Sequence, residues 1–208
     1  MKKSNLKKIL NVIAMNQTND GFSNRHVLLD GEMDKDLIRT IKDLDMPTFR
    51  CSVSTIANEG YFGFHLSDIL RRLVESTNGD LQKAERAVVL IDEFEKMSMD
   101  DRFITPLLED GTEDEIEKQV HKEKISRSLN QLSLTSYLRG TTIPFTAFGE
   151  DGLFDTSNLT FILIGDYKDM ELSEIYDGYH SAFTNTLMPV IIREKDKPSK
   201  ETSKKHRK

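Results

Sequence analysis

The stretch Ala87-Val88-Val89-Leu90-Ile91-Asp92-Glu93 decides the fold, because an apolar run ends there in two adjacent carboxylates. Four residues with strong strand preference, without polar alternation, predict a strand that is buried on both faces. The run is too short for a core helix. In a parallel sheet, ligands bind beyond the carboxyl ends of the strands, so Asp92 and Glu93 are expected at the edge of a site.

Two interpretations of the paired acids are open. Nucleoside triphosphate hydrolysis uses one acid to help hold Mg²⁺ and a second to orient or deprotonate the attacking water. In that chemistry Asp92 is the metal-side acid and Glu93 activates the water. The plainer interpretation is a core strand that stops at a polar turn, and the run taken alone favours it. The rest of the chain has to decide between the two.

Other apolar runs predict the remainder of an α/β fold with a central, mostly parallel, five-stranded sheet flanked by helices. Besides the central strand, strands are predicted over 26–31, 46–53, 159–166 and 189–192, and a hairpin arm over 141–148. The strand over 159–166 ends in Asp166, as the central strand ends in Asp92. Helices are predicted over 36–44, 66–74, 81–86 and 125–138, the last with Ile125, Leu129, Leu132 and Ser136 spaced along one face.

The segment Gly31-Glu32-Met33-Asp34-Lys35-Asp36 stands where a phosphate-binding loop would be, between the first strand and a helix. A working loop reads G-x-x-x-x-G-K-[ST] and needs its glycines to fold around oxygen anions. Here the second glycine is missing and Asp36 replaces the hydroxyl that would coordinate Mg²⁺. A carboxylate about 4 Å from a phosphate oxygen costs on the order of 4 kcal/mol. Gly31 and Lys35 are therefore nucleotide-binding candidates by position, while the composition opposes binding.

Composition limits the other classes of function. The chain has 208 residues and a net charge of −6, which gives no general case for binding nucleic acid or membranes. Cys51 is the single cysteine, so an internal disulfide and a cysteine zinc cluster are excluded. The five histidines show no paired ligand spacing. Without a signal core or a transmembrane-length run, the sequence predicts a soluble cytoplasmic protein.

The two ends of the chain differ from its middle. Residues 1–24 are predicted to form an amphipathic helix and a linker, with Leu6, Ile9, Leu10 and Ile13 at helical spacing. This helix either docks on the main domain or lies on a membrane surface, and its narrow apolar face favours docking. Residues 25–192 form the main domain. Residues 193–208 are a basic tail that is predicted to be disordered, and without aromatic residues for stacking we do not expect it to bind nucleic acid.

Three stretches in this order resemble the AAA+ unfoldases of the ClpX/HslU group, over roughly residues 26–192. The segment 59–63, Glu-Gly-Tyr-Phe-Gly, is similar to the G-Y-V-G pore loop of that group. The run 81–96 resembles its D-x-Q-K-A-x-R-x-I-V-x-I-D-E-x-x-K approach to Walker B. The segment 154–162 resembles its D-T-S-x-I-L-F-I run into the sensor-1 strand. The resemblance implies the large α/β subdomain of an AAA+ protein.

This resemblance assigns roles to individual residues. Asp92 and Glu93 become the Walker B acids, with Asp92 on the Mg²⁺ side, and Asp166 occupies the sensor-1 turn. The pore loop is Gly60, Tyr61, Phe62 and Gly63, in which Tyr61 would grip translocating polypeptide in the axial pore of a hexamer. ATP and Mg²⁺ are the implied cofactors, and polypeptide substrates or AAA+ ring subunits are the implied partners.

The sequence also departs from the pattern of that group. Thr186 stands where the arginine finger belongs, and a missing finger costs about 10³ to 10⁵ in rate in related phosphoryl transfer. Asp166 replaces a residue that is usually neutral. The helical lid after the last strand, the N-terminal zinc domain and the tripeptide loop that docks the peptidase are not expected in this chain.

Three functional hypotheses follow. One is an ATP-dependent unfoldase subunit, supported by the intact acid pair and by Tyr61. The second is a weak or non-hydrolysing relative that acts by binding protein or by modulating an AAA+ ring, as a homo- or hetero-oligomer. The third is a decaying gene product without a present role. The damaged phosphate loop and the missing finger favour the second.

Overall fold

The computed structural model describes residues 3–18, 26–31, 35–56, 64–105, 111–167 and 170–191. Its centre is a five-stranded sheet in which all pairings are parallel. The strands are β1 (His26–Asp30), β2 (Thr48–Ser52), β3 (Val88–Asp92), β6 (Thr160–Gly165) and β7 (Leu187–Ile191), in the spatial order β2-β3-β6-β1-β7. A separate antiparallel hairpin joins β4 (Thr142–Ala147) to β5 (Glu150–Asp155). The predicted parallel α/β sheet is confirmed.

The central strands are buried on both sides because helices cover both faces of the sheet. The helices are α1 (Lys3–Thr18), α2 (Lys35–Lys42), α3 (Leu66–Ser76), α4 (Leu81–Ala84), α5 (Glu113–Leu138), α6 (Leu172–Asp177) and α7 (Ser181–Thr184). In β3, Val88 and Leu90 pack with α1 and α2, while Val89 and Ile91 pack with the other helices. Successive side chains of a strand point to opposite faces, so an uninterrupted apolar run can serve two cores at once.

The N-terminal helix α1 is docked on the sheet. Ile9, Val12 and Ile13 are buried in the same cluster as the α2 residues Leu37 and Ile41. The Asn16 side-chain amide also donates to Thr160 Oγ1 on β6 at 2.8 Å. The docking interpretation of the N-terminal helix is therefore confirmed.

The longest helix begins earlier than the sequence pattern predicted. We expected a helix over 125–138, whereas α5 begins at Glu113 and has 26 residues. Thr112 caps it, because its side chain accepts from the Glu115 N–H while the Glu115 carboxylate accepts from the Thr112 N–H. This capping box begins the helix inside a run of acids, Glu113, Asp114 and Glu115.

Candidate functional site

A pocket of about 270 Å³ lies at the carboxyl edge of the sheet, where the strand connections diverge. The connection from β1 runs through α2 toward β2, and the connection from β6 runs through α6 and α7 to β7, on the opposite face. Ligands of open α/β sheets bind at such a switch point. The pocket is lined by Gly31, Arg50, Asp92, Glu93, Glu95, Ile164, Gly165 and Asp166.

Four of the predicted site residues meet in this pocket: Gly31, Asp92, Glu93 and Asp166. Gly31 has a φ of 136°, which favours glycine, and its N–H donates to the Gly165 carbonyl at 2.9 Å. Lys35 lies at the exposed start of α2 and is not part of the described pocket lining. The rest of the predicted phosphate loop, and the pore-loop residues Gly60, Tyr61, Phe62 and Gly63, lie outside the described residues.

Asp92 forms an ion pair with a residue that sequence reasoning did not assign to the site. The Arg50 guanidinium, on the neighbouring strand β2, lies 2.6 Å from Asp92 Oδ2. Asp92 Oδ1 accepts a further hydrogen bond from the Glu93 N–H at 3.1 Å. A cation inside a predicted strand was the sequence feature that could have drawn attention to Arg50. Its pairing with Asp92 could not be predicted, because it depends on the order of the strands in the sheet.

Glu93 is held by side chains on both sides of it. Lys96 Nζ and Ser52 Oγ both donate to its carboxylate, and Lys96 also donates to Ser54 Oγ at 2.8 Å. The hydrogen bonds from Lys96 and Ser52 lower the pKa of Glu93 from 4.5 to about 2. Glu93 itself has a φ of 55°, a left-handed conformation that is uncommon for a residue with a side chain. The carboxylate is therefore ionised and already bonded.

Further carboxylates crowd the same edge. Glu95 accepts from the Asp166 N–H at 3.1 Å, and the buried Asp30 accepts from the Tyr167 N–H at 3.3 Å. The first bond connects the turn after β3 to the turn after β6, and the second connects the end of β1 to the same turn. Asp166 thus adds a negative charge beside the carboxylates of Asp92, Glu93 and Glu95 in the pocket lining.

The described lining is rich in carboxylates that are partly paired. Four carboxylates and one guanidinium line the pocket, and Asp92, which is predicted as the metal-side acid, is paired with that guanidinium. Across the described part of the chain, no group of three or more His, Cys, Asp and Glu side chains is arranged to hold a metal ion. A polyanion entering this pocket would be repelled by the negative charges of the lining that Arg50 and Lys96 do not offset, each worth on the order of 1 to 4 kcal/mol near a protein surface.

Thr186, at the predicted arginine-finger position, has a structural role. Its carbonyl accepts from the His26 N–H at 3.1 Å, and its hydroxyl donates to the Phe183 carbonyl at 2.8 Å. These bonds join the end of α7 to the start of β1. The side chain is thus used to shape the turn before β7.

The parallel five-stranded sheet, with helices on both faces and acids at its carboxyl edge, is consistent with the α/β large subdomain of an AAA+ protein. The chain is 27% identical over 126 residues to the ATP-dependent Clp protease ATP-binding subunit ClpX 3 of Methylococcus capsulatus, covering 61% of this chain and 28% of that protein. It is 26% identical over 142 residues to the ClpX subunit of Azotobacter vinelandii, covering 65% and 29%. These similarities support a ClpX-like AAA+ domain.

A third relative, the ClpX subunit of Treponema denticola, is 24% identical over 135 residues, covering 62% of this chain and 29% of that protein. No family model matches the chain. The chain thus spans less than a third of the length of these curated relatives. Among its described helices, none combines the length and the apolar character that crossing a membrane requires.

Proposed function

We propose that this ClpX-like AAA+ domain does not hydrolyse ATP efficiently and acts by binding protein, as a modulator of an AAA+ ring or as a binder of polypeptide. The observation that carries the proposal is the internal pairing of both Walker B acids. Asp92 is paired with Arg50, and Glu93 is bonded to Lys96 and Ser52. In a hydrolase these two carboxylates have to be available to a metal ion and to water.

The pKa of Glu93 argues against a role as a base. A general base is most effective when its pKa lies near the working pH, and active sites raise the pKa of glutamate for that purpose. Here hydrogen bonding lowers the pKa of Glu93 to about 2. The carboxylate is therefore a poor acceptor for a proton from water.

A functional ATP-hydrolysing unfoldase subunit is the second candidate. It is favoured by one observation: the acid pair at the end of β3 and Gly31 at the end of β1 line the same pocket. ATP and Mg²⁺ would then be cofactors, and the names of the relatives indicate ATP binding for those proteins. In that case binding would have to displace Arg50 from Asp92 and Lys96 from Glu93.

Titration with a fluorescent ATP analogue and Mg²⁺, on the wild type and on Glu93→Gln, separates the two candidates. We expect no saturation at micromolar nucleotide and no hydrolysis by either protein. Saturation by the wild type, with turnover that is lost in Glu93→Gln, would overturn the proposal and establish the enzyme.

Protein binding is tested through the predicted pore loop. We expect Tyr61→Ala to reduce the set or amount of proteins that co-purify with the tagged chain, because a large flat ring can grip polypeptide without a sequence-specific pocket. Phe148→Ala is the matched control, since Phe148 is 67% exposed on the turn of the β4–β5 hairpin. The same co-purifying proteins, in the same amounts, with Tyr61→Ala would count against the pore-loop assignment.

A further inference from the structure

The helix α5 has apolar residues on two opposite sides. One side faces the core and contains Leu134 and Leu138 together with the buried polar residues Arg127 and Gln131. The polar pair is hydrogen-bonded. Arg127 donates to the carbonyls of Ser98 and Phe103 and to the Glu123 carboxylate, and Gln131 donates to the carbonyls of Met97 and Gly178.

The opposite side of α5 exposes three large aliphatic side chains. Ile125, Leu129 and Leu132 are 50%, 59% and 48% exposed, and their spacing of four and then three residues places them in one row. The row is offset by two residues from Arg127, Gln131 and Leu134, which is about 200° around the helix. A helix that is apolar on two sides is typically covered on both. We call this row the outer stripe.

We infer that the outer stripe of α5 is a self-association surface, on which the α5 helix of a second copy packs antiparallel. A helix of 26 residues is about 39 Å long, so two copies can pack along their whole length. Contiguous exposed apolar side chains on a soluble domain mark interaction sites. The charges that lie in line with the stripe indicate that the partner is a second copy of the chain.

The charged residues in line with the stripe favour an antiparallel pair. Asp114 and Lys118 continue the stripe toward the N-terminus, while Ser136 and Arg139 continue it toward the C-terminus. When Ile125 lies opposite Leu129 of the second copy, Asp114 lies next to the second copy's Arg139, and Lys118 lies opposite its Ser136. The aliphatic stem of Lys122 then covers Leu132.

A parallel pair would bring like charges together. Asp114 would face Asp114, and Lys118 would face Lys118, which is unfavourable. The interaction between the two helix dipoles is also favourable only when the helices run antiparallel. Three apolar residues per copy make a small interface, at the low end for specific association, so we expect a micromolar dimer.

Sedimentation velocity on the full chain, from about 1 to 200 µM, tests the inference. We expect a concentration-dependent monomer–dimer equilibrium that Leu129→Glu weakens at least tenfold. Leu153→Glu is the matched control, because Leu153 is 62% exposed on β5 and lies outside α5. It should leave the equilibrium unchanged. At concentrations where the monomer predominates, the far-UV circular dichroism melting of both variants should match the wild type, since neither side chain is in the core.

The antiparallel register has its own test. Asp114→Arg should weaken the dimer, and the double variant Asp114→Arg with Arg139→Asp should restore it. A protein that stays monomeric over the whole range would overturn the inference. A dimer that Leu129→Glu leaves intact, or that the charge swap does not restore, would also overturn it. Neither outcome bears on nucleotide binding.

Discussion

At the scale of single residues, the proposed loss of ATP hydrolysis depends most on Arg50. It is placed on the strand beside β3, in the register that aligns Ser52 with Asp92. Its guanidinium lies 2.6 Å from the carboxylate that would face a metal ion. Under the proposed function, this half-exposed cation lies where Mg²⁺ would have to bind.

Replacing Arg50 with methionine should make Asp92 available to a metal ion. We expect Arg50→Met to bind Mn²⁺ about tenfold more tightly than the wild type, because one unit charge near a surface is worth about 1 to 4 kcal/mol at contact. Electron paramagnetic resonance of free Mn²⁺ measures the affinity. Stability should change by less than about 1 kcal/mol, since the Arg50 and Asp92 side chains are 53% and 28% exposed.

Arg72→Met, which removes an exposed arginine from α3, is the control for general charge effects. It should leave Mn²⁺ binding at the wild-type level. Equal affinities for wild type and Arg50→Met would mean that Arg50 does not restrict the pocket.

The lowered pKa of Glu93 predicts a loss of stability in acid. Because the folded-state pKa is about 2 and the ordinary value is 4.5, the unfolded chain binds this proton first as the pH falls. The contribution of Glu93 is therefore complete above about pH 4.5 and is lost between that pH and about 2. Urea unfolding at pH 6, 4 and 3 should show a smaller decrease in the free energy of unfolding for Glu93→Gln than for the wild type. Glu150→Gln, on the hairpin, is the control, and equal slopes for all three proteins would contradict the prediction.

At the scale of elements, α1 shows how a narrow apolar face docks a helix. The face was predicted from Leu6, Ile9, Leu10 and Ile13, and the structure buries Ile9 and Ile13 fully, together with Val12. Leu6 and Leu10 pack at the margin of the same cluster. The helix is therefore packed into the core on one face of the sheet.

Truncation of Ile9 should destabilise the whole domain. We expect Ile9→Ala to lower the free energy of unfolding by about 2 to 5 kcal/mol, the range for large-to-small changes in a core. Met15→Ala, on the same helix but 38% exposed, should cost about 1 kcal/mol or less. Chemical denaturation measures both. Similar small losses for the two variants would show that α1 contributes little to the fold.

At the scale of the whole molecule, two apolar clusters share one sheet. The strands β1, β3 and β6 contribute alternate side chains to the two clusters. Because the strands are shared, neither cluster can unfold while the other stays folded. The described chain is therefore expected to unfold in one step.

A variant in each cluster tests this cooperativity. Ile9→Ala in one cluster and Leu70→Ala in the other should both shift a single transition, seen at the same urea concentration by circular dichroism and by tyrosine fluorescence. Leu129→Glu, outside both clusters, should leave that transition in place. Two separate transitions in either core variant would show that the faces unfold independently.

The sequence by itself determined the class of fold. Apolar runs such as Val88–Ile91 are long enough for strands and lack alternation, so burial on both faces, and hence a helix-covered parallel sheet, followed from local pattern alone. The positions of Gly31, Asp92, Glu93 and Asp166 at strand ends followed from the same pattern, because parallel strands end at one edge. The start of α5 was wrong by twelve residues, since a capping box can begin a helix within an acidic run.

Only the tertiary structure decided which charges meet. Arg50 and Asp92 are 42 residues apart in the chain, and their contact depends on β2 lying beside β3 in one particular register. The sequence likewise did not determine which side of α5 faces the core. Ile125, Leu129 and Leu132 form as regular a row as the residues that are buried. Local periodicity places residues on a common face, but the packing of the whole chain chooses which face is covered.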